Sequence, residues 1–370
     1  MIHIQLAQQA ENQKQQIEAN RILPTDLIHK VKKAGLPKRW ATQAVGGEEA
    51  AVSKVTTMLR EMAYHNGSLA WVVGVTGCSA LFAGFVKEEQ AQLLFEDPMS
   101  MVGGFAGPAG VAKLVNGGVE VSGHWTWGSG ISHCSHIVGG VRLMKGEEMQ
   151  GTGIVFFEPA EIEMIDNWQV LGLKGSHSID YKATKVFIPN ERWSIFPVAQ
   201  AVAEAPLYNF SFLGALSMSI ASVGLGLAQR ALAEIKTLAT NKRPFGQGKP
   251  LTRRPEIQQR IGQLEGNYQA AIALFEQTIA KAEKEAVAGP CSIATKGQVR
   301  LASAHATSLS HTVVQEAFDI AGGSSIWQSH KLEELIRDMN VVKQHGMVNG
   351  LNYRTVGAVM LGEEVPAVLL

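Results

Sequence analysis

The hydrophobic pattern of the chain changes near residue 99 and changes back near residue 206. Between these points the sequence is rich in Gly and β-branched residues, and its short apolar runs alternate with turn signals, including the hairpin signal Asn116-Gly117. On both sides of this segment apolar residues recur at helical spacing. The pattern predicts an α+β protein with a central β domain of roughly seven short strands, arranged as a barrel or a sandwich.

The helical segments differ in length on the two sides of the β domain. Residues 1–98 predict several short helices, and the stretch from Gly67 to Phe85 is so uniformly apolar that it predicts a buried helix. After Leu207, four long apolar periods with short breaks predict a four-helix bundle. The periods cover residues 213–241, 255–288, 295–321 and 332–361. We therefore predict three domains, which are a helical domain (1–98), a β domain (99–205) and a four-helix bundle (206–370).

Charge and cysteine content argue against several classes of function. The 370 residues include 33 Lys and Arg and 33 Asp and Glu, so the net charge is zero and no concentrated basic surface for nucleic acid is indicated. The three cysteines are scattered, which is typical of a reducing compartment. The N-terminus is polar, and no run reaches the ~18 apolar residues that span a bilayer. We expect a cytoplasmic protein with no nucleic-acid or membrane partner.

The segment VSGHWTWGSG (Val121–Gly130) is the strongest candidate for a ligand site in the β domain. On a regular strand the side chains of Trp125, Trp127 and Ser129 point to the same face. Two flat apolar surfaces and one hydroxyl suit a flat heteroaromatic ligand that needs one hydrogen bond, and the neighbouring glycines allow close approach to the backbone. The alternative is a hairpin strand with two core tryptophans and a turn serine, and this stretch alone favours the alternative.

Histidines and glycines elsewhere give weaker signals. His133, Cys134 and His136 look like part of a metal site, but on a strand they point to opposite faces and no second ligand pair occurs. We therefore predict a structural role for them and no metal site. His177 lies in a predicted turn, where an exposed histidine is the default and a role beside a bound ligand is the alternative. The Gly224–Gly226 pair lies within an apolar helix and not after a strand, so no NAD(P)H site is predicted.

Four segments, in this order and at these separations, resemble the acyl-CoA dehydrogenase superfamily. They are WTWGSGISHCSHIVGG, LGLKGSHSIDYKATKVFIP, Arg243-Pro244-Phe245-Gly246, and Ala321-Gly322-Gly323 followed by Arg337-Asp338. The resemblance covers nearly the whole chain and implies the acyl-CoA-dehydrogenase-like fold, with an N-terminal helical domain, a central β barrel or sandwich and a C-terminal four-helix bundle. It also implies that Trp127 packs beside a flavin and that the Ser129 hydroxyl bonds flavin N5.

The phosphate of the flavin is expected at two of these segments. Arg243 and Phe245 belong to a pattern, Arg-x-x-Phe-Gly, whose arginine binds flavin phosphate in the superfamily. A plain helix-terminal charge is the alternative for Arg243. Gly322 and Gly323 can cradle phosphate with exposed backbone N–H groups, or they only end a helix. Both FMN and FAD suit these segments.

One departure from the superfamily pattern decides the branch. The dehydrogenases carry a glutamate in the last helix as the base that takes the substrate α-proton, whereas Gln344-His345-Gly346-Met347 occupies that place here. This histidine, together with the W-x-aromatic-G-S-G segment, resembles the flavin-dependent monooxygenases of the same fold. Those enzymes include hydroxylases of 4-hydroxyphenylacetate and steroid-derived phenols, dibenzothiophene monooxygenases, and enzymes that oxidise indole and indole-acetate.

The resemblance implies the oxygenase component of a two-component monooxygenase. Reduced flavin (FMN or FAD) would come from a separate NAD(P)H-dependent reductase and react with O2 to a C4a-hydroperoxide, which hydroxylates or epoxidises a small aromatic substrate. Indole or an indole derivative is the first expectation for the substrate, and a phenol is the second. Members of this group are usually homotetramers. The alternatives are an acyl-CoA dehydrogenase-like flavoenzyme with an altered catalytic base and a non-enzymatic assembly protein.

The resemblance assigns catalytic roles to Ser129 and His345. Ser129 would hold the N5 proton, and His345, with an ordinary pKa near ~6.5, would act on the substrate as a base or a hydrogen-bond acceptor. Trp71, Phe105 and Trp125, together with His345, are expected to line the substrate pocket and to keep water out. A core position is the alternative for Trp71, and a satisfied helix histidine is the alternative for His345.

Overall fold

The structure, a computed structural model, describes residues 1–197, 200–243 and 248–366. The described residues form helices, then strands, then helices, as the hydrophobic pattern predicts. The helices are α1 (Ile2–Asn12), α2 (Lys14–Asn20), α3 (Thr25–Lys33), α4 (Val52–His65), α5 (Gly67–Ala80), α6 (Glu88–Phe95), α7 (Pro206–Asn209), α8 (Phe212–Asn241), α9 (Pro255–Ala288), α10 (Ile293–Ala321), α11 (Lys331–Val342) and α12 (Leu351–Met360). The strands are β1 (Val102–Val115), β2 (Gly118–Gly128), β3 (His136–Lys145), β4 (Glu148–Phe157), β5 (Glu163–Ile165), β6 (Ile179–Pro189) and β7 (Trp193–Ile195).

The described chain packs into two compact units. The first comprises Met1–Ala51, Val72–Gln169 and Lys174–Phe212, and it contains all of the described strands. The second comprises Val52–Trp71, Val170–Leu173 and the described residues from 213 onward. Helix α5 begins in the second unit and continues in the first. The three sequential domains, with limits after residues 98 and 205, stay a prediction.

The seven strands of the first unit form one mixed sheet in the order β5-β6-β2-β1-β3-β4-β7. Strands β1 and β2 pair as an antiparallel hairpin that brings Val115 opposite Gly118, so the turn at Asn116-Gly117 is where the sequence predicts it. Gly117 has a φ of +79°, the left-handed conformation that such hairpin turns require. Strands β1 and β3 are parallel, and the other neighbours are antiparallel.

Trp125, on β2, packs against aromatic residues of two other strands of this sheet. Its ring is fully buried, stacks on Tyr181 at 5.3 Å between centroids, and meets Phe157 edge-on at 5.4 Å. The indole N–H donates to the Gly140 carbonyl at 2.8 Å. Glycines on three strands make room for the ring, because a Cβ at any of them would lie 2.3–3.0 Å from it; they are Gly110, Gly123 and Gly139. Trp125 is therefore a core residue, and the prediction that it lines the substrate pocket is wrong.

Three long helices of the second unit match the predicted periods, but the fourth does not. Helices α8, α9 and α10 span 30, 34 and 29 residues. The helix predicted over 332–361 is instead α11 and α12, separated by turns over 343–350. Gly346 and Gly350 explain the break, because a glycine inside a helix costs about 1 kcal/mol relative to alanine. His345 therefore lies in an irregular segment, and its predicted placement in a helix is wrong.

Two segments, Gly67–Gly84 and Phe212–Asn241, are apolar and long enough to cross a membrane by length and composition alone. The sequence-based expectation that no segment reaches this length is therefore wrong. However, 89% and 78% of the two apolar windows are buried inside the structure. Such burial is typical of core helices, because the apolar surface that a lipid bilayer would cover is already covered by protein.

Candidate functional site

The first group of predicted site residues lies where β2 ends. The register between β2 and β6 shifts between Trp125 and Gly128, and Trp127 has a φ of +61°. A bulge with this geometry breaks the alternation of side chains along the strand. Trp127 is therefore 65% exposed, whereas Trp125 is fully buried. The prediction that the two indoles share one face is wrong, and of the two only Trp127 offers a surface to a ligand.

Ser129 belongs to a row of three buried hydroxyl groups. Its Oγ lies 2.7 Å from Ser178 Oγ, which in turn lies 2.8 Å from Ser176 Oγ. The backbone holds the same turn, because the Ser129 N–H donates to the Trp127 carbonyl at 2.8 Å and the Gly130 N–H donates to the Ser176 carbonyl at 2.9 Å. Sequence reasoning missed both partner serines. Their only signal was the alternation in Gly-Ser-His-Ser. Ser178, whose hydroxyl contacts Ser129, lies 49 positions after it in the sequence.

These residues fit the ring system of a flavin. Trp127 presents a flat apolar surface, and Ser129 places a nearly buried hydroxyl two positions later. A planar heteroaromatic ring lying on Trp127 would remove apolar area from water, and the hydroxyl would meet one polar atom at the edge of that ring. Because a hydroxyl both donates and accepts, Ser129 can bond flavin N5 whether or not that nitrogen carries a proton. Trp127 and Ser129, both in the first unit, can thus provide one stacking contact and one hydrogen bond to a flavin ring.

The second group of predicted site residues lies in the second unit. The rings of Trp71 and His345 meet edge-on, with centroids 5.4 Å apart and planes 73° from parallel. Trp71 is 6% exposed, and His345 is half-buried. Nδ1 of His345 accepts the backbone N–H of Met347 at 3.2 Å. Burial, and in second place the positive charge of Arg300, lower the pKa of His345 to about 4. The imidazole is therefore neutral at pH 7, and the expectation of an ordinary pKa is wrong.

The candidate phosphate contacts are also in the second unit. Arg243 is exposed at the end of α8, and Phe245 lies outside the described residues. Gly322, with a φ of +52°, follows the last residue of α10, and both it and Gly323 are exposed. Nζ of Lys242 donates at 2.6 Å to the carbonyl of Ala321, the residue before Gly322. Lys242, a cation that sequence reasoning missed, therefore lies beside the Gly-Gly turn. The Gly322 N–H donates to the Asp319 carbonyl, so Gly322 ends the helix as the plainer alternative holds, and phosphate binding at this turn stays a prediction.

Two further predicted residues lie in the first unit. Phe105 is half-buried on β1, and its backbone N–H donates to the hydroxyl oxygen of Tyr181 at 2.8 Å. Its contact with a substrate stays a prediction. His177 has a φ of +43° in the predicted turn, but its side chain is only 13% exposed, and burial lowers its pKa. Its Nδ1 lies 2.9 Å from Ser132 Oγ and its Nε2 lies 3.6 Å from Asp166 Oδ1, so the expectation of an exposed histidine is wrong.

Comparison with known proteins identifies the fold. Residues 218–350 match the family described as acyl-CoA dehydrogenase, C-terminal domain. Butyryl-CoA dehydrogenase from Megasphaera elsdenii superposes with a TM-score of 0.82 at 16% identity, covering 97% of each chain. The chain has the acyl-CoA dehydrogenase fold. XiaF from a Streptomyces species, solved with FADH2 and glycerol, shares this fold with a TM-score of 0.92 at 21% identity, over 98% of this chain and 96% of XiaF. The predicted fold class is confirmed.

Within the acyl-CoA dehydrogenase fold, the curated relatives are oxygenases. Indole-3-acetate monooxygenase from Acinetobacter baumannii is 28% identical over 342 residues, which cover 91% of this chain and 87% of the relative. The oxygenase component of p-hydroxyphenylacetate 3-hydroxylase from Acinetobacter baumannii is 23% identical and covers 98% of this chain and 86% of the relative. The predicted resemblance to the flavin-dependent monooxygenases of this fold is confirmed.

Proposed function

We propose that this chain is the oxygenase component of a two-component flavin-dependent monooxygenase that hydroxylates or epoxidises a small aromatic substrate. The likeness over nearly the full length to oxygenases of this class supports the proposal. The observation that carries it is His345 packed edge-on against Trp71. By the resemblance, this histidine stands where the dehydrogenases need a carboxylate base. A neutral imidazole beside an indole forms a mostly apolar surface with one polar handle, which suits a flat aromatic ring.

Reduced FMN or FAD would supply the electrons that activate O2, so that one oxygen atom enters the substrate and the other leaves as water. In the first unit, Trp127 would cover one face of the flavin ring, and Ser129 would bond N5 and keep its proton in place. In the second unit, Gly322, Gly323 and Arg243 would hold phosphate. Phe245 lies outside the described residues, and we include it in the proposed cofactor site because it belongs to the same sequence pattern as Arg243.

The substrate we propose is small and planar, with an indole derivative first and a phenol second. Trp71 and His345 would contact it in the second unit, and Phe105 would add an apolar wall in the first. We further propose that a separate NAD(P)H-dependent reductase supplies the reduced flavin and that the chain works in the cytoplasm as a homotetramer. No nucleic acid or membrane is part of this proposal.

Oxygen-isotope incorporation tests the proposal directly. The purified protein is mixed with chemically reduced FMN or FAD under 18O2, and indole, indole-3-acetate or 4-hydroxyphenylacetate is added in separate reactions. The masses of the products are then measured by mass spectrometry. We expect one 18O atom per molecule of oxidised aromatic product. Reduced flavin without protein controls for oxidation by free peroxide. Products without 18O, or no oxidised product from any aromatic, would contradict the oxygenase function.

A second candidate is an acyl-CoA dehydrogenase-like flavoenzyme with an altered base. The match of residues 218–350 and the likeness to butyryl-CoA dehydrogenase favour it. It predicts that a CoA thioester bleaches the absorbance of protein-bound oxidised flavin without O2. We expect no bleaching, because an imidazole with a pKa near 4 is a poor base for removing the substrate α-proton.

A further inference from the structure

Arg300 is a buried cation in the second unit that the proposed function has not used. It lies on α10, is 4% exposed, and forms no ion pair within the described part of the chain. Its guanidinium donates to the Met347 carbonyl at 3.0 Å and to the Asn352 side-chain oxygen, while its Nε is buried without a hydrogen-bond partner. Burying an unpaired charge is costly, so such a residue calls for an explanation.

The two partners of Arg300 lie in the irregular segment after α11 and at the start of α12. Asn352 in turn donates to the Gly346 and Asn349 carbonyls, each at 2.9 Å. Arg300 thus binds the middle of the turns that separate the two helices directly, and their C-terminal end through Asn352. Glycine-containing turns have little tendency of their own to keep one conformation. The guanidinium therefore adds side-chain hydrogen bonds to the backbone turns of the segment carrying His345, such as the bonds from the Val348 and Asn349 N–H groups to the His345 carbonyl.

Met347 links this clamp to the imidazole. Its carbonyl accepts from Arg300, and its N–H donates to Nδ1 of His345 at 3.2 Å. A neutral imidazole carries one proton, and a ring nitrogen that accepts a hydrogen bond cannot carry it. The proton is therefore on Nε2, which makes that nitrogen a donor.

We propose that Arg300 is a positioning residue that, through the Met347 backbone, holds His345 as a neutral imidazole with its proton on Nε2, so that His345 meets the substrate as a hydrogen-bond donor and not as a base. The inference rests on the proposed function and narrows its substrate class. A donor suits an aromatic compound that offers an oxygen acceptor, such as a phenol or an indole bearing a carboxylate. It does not suit the ring N–H of unsubstituted indole, which needs an acceptor.

The electrostatic environment of His345 favours the same neutral imidazole that the hydrogen-bond geometry indicates. Burial and the charge of Arg300 lower the pKa of His345 to about 4, and burial lowers the pKa of Arg300 to about 10. Trp71, which packs edge-on against the imidazole, carries no charge. Protonating His345 would place a second cation beside a buried one, so the neutral donor persists across the physiological pH range.

Nuclear magnetic resonance of the protein alone, with 15N-labelled histidine, tests the inference without flavin or substrate. We expect the His345 signals of an Nε2-protonated neutral ring from pH 5 to pH 8. Arg300→Gln removes the charge and should raise the pKa of His345 by at least about one unit, a tenfold change in proton affinity. Arg300→Lys keeps the charge but not the planar fork, so the low pKa should persist while the preference for Nε2–H weakens.

Arg260→Gln, which removes an arginine that pairs with Glu316 on a neighbouring helix, is the matched control and should leave the His345 signals unchanged. An Nδ1-protonated ring in the unaltered protein would overturn the inference, and this measurement needs no variant to fold. An unchanged His345 pKa in folded Arg300→Gln would overturn the role of Arg300.

A binding comparison tests the substrate class. With oxidised flavin present, the protein should bind indole-3-acetate at least threefold more tightly than indole, and Arg300→Gln should reduce that ratio. Equal affinities would contradict the donor role, whereas the isotope experiment decides separately whether the chain is an oxygenase at all.

Discussion

Substitution of the two tryptophans of β2 should separate a core residue from a ligand-contacting one. In Trp125→Phe, the Gly140 carbonyl loses its donor, which costs about 1–3 kcal/mol, and the stacked contact with Tyr181 weakens by roughly 0.5–1.5 kcal/mol. We therefore expect a loss of stability of about 2–4 kcal/mol. Flavin affinity, measured under conditions where the variant is folded, should change little, because Trp125 has no exposed surface.

Trp127→Ala should show the opposite behaviour. The 65% exposed ring leaves on the order of 100–160 Å² uncovered, and covering that area with a flavin contributes about 3 kcal/mol at 25 cal/mol per Å². Because about 1.4 kcal/mol is a factor of ten, flavin affinity should fall by roughly 100-fold, while stability changes by less than about 0.5 kcal/mol.

Thermal unfolding followed by circular dichroism, together with fluorescence titration of FMN and FAD, measures both quantities for both variants. The reasoning is refuted if Trp125→Phe weakens flavin binding without loss of stability. It is equally refuted if Trp127→Ala unfolds the protein and leaves the affinity of the folded fraction unchanged.

Substitutions at three other positions, one in the first unit and two in the second, give further predictions. Ser178→Ala removes the hydroxyl partner of Ser129 and should, like Ser129→Ala, raise hydrogen peroxide released per product formed; a peroxidase-coupled assay checks this, and unchanged coupling in both would contradict the role of the serine row. His345→Ala should reduce product formation at least tenfold more than it reduces flavin affinity, and loss of flavin affinity alone would mean that His345 contacts the cofactor instead. Asp338 accepts the Leu173 N–H at 2.6 Å, and burial raises the pKa of its carboxyl group. The contribution of Asp338 to folding stability is therefore complete below the pKa of the carboxyl in the unfolded chain, and it is lost as pH rises through the pKa of the carboxyl in the folded protein. Asp338→Asn should therefore flatten the fall in melting temperature between pH 4 and pH 8, and equal slopes in the two proteins would contradict this account.

The sequence alone was sufficient for features that depend on local pattern. The order of helical and β segments, the Asn116-Gly117 turn and the periods of the long helices all follow from the spacing of apolar residues and from turn chemistry, which act over a few neighbouring positions. The histidine at position 345, in the segment that resembles the glutamate-bearing segment of the dehydrogenases, is likewise visible without coordinates. It was enough to direct the prediction to the oxygenase branch.

Only the tertiary structure distinguished the two tryptophans of β2. Alternation predicts one face for both, but the bulge against β6 buries Trp125 and exposes Trp127, and that bulge depends on pairing with a strand more than fifty positions later. The row of serines from Ser129 to Ser176 and the clamp of Arg300 on Met347 have the same origin. Each joins residues that are distant in sequence, and hydrogen bonds between such residues exist only after folding has brought their donors and acceptors within 3 Å of each other.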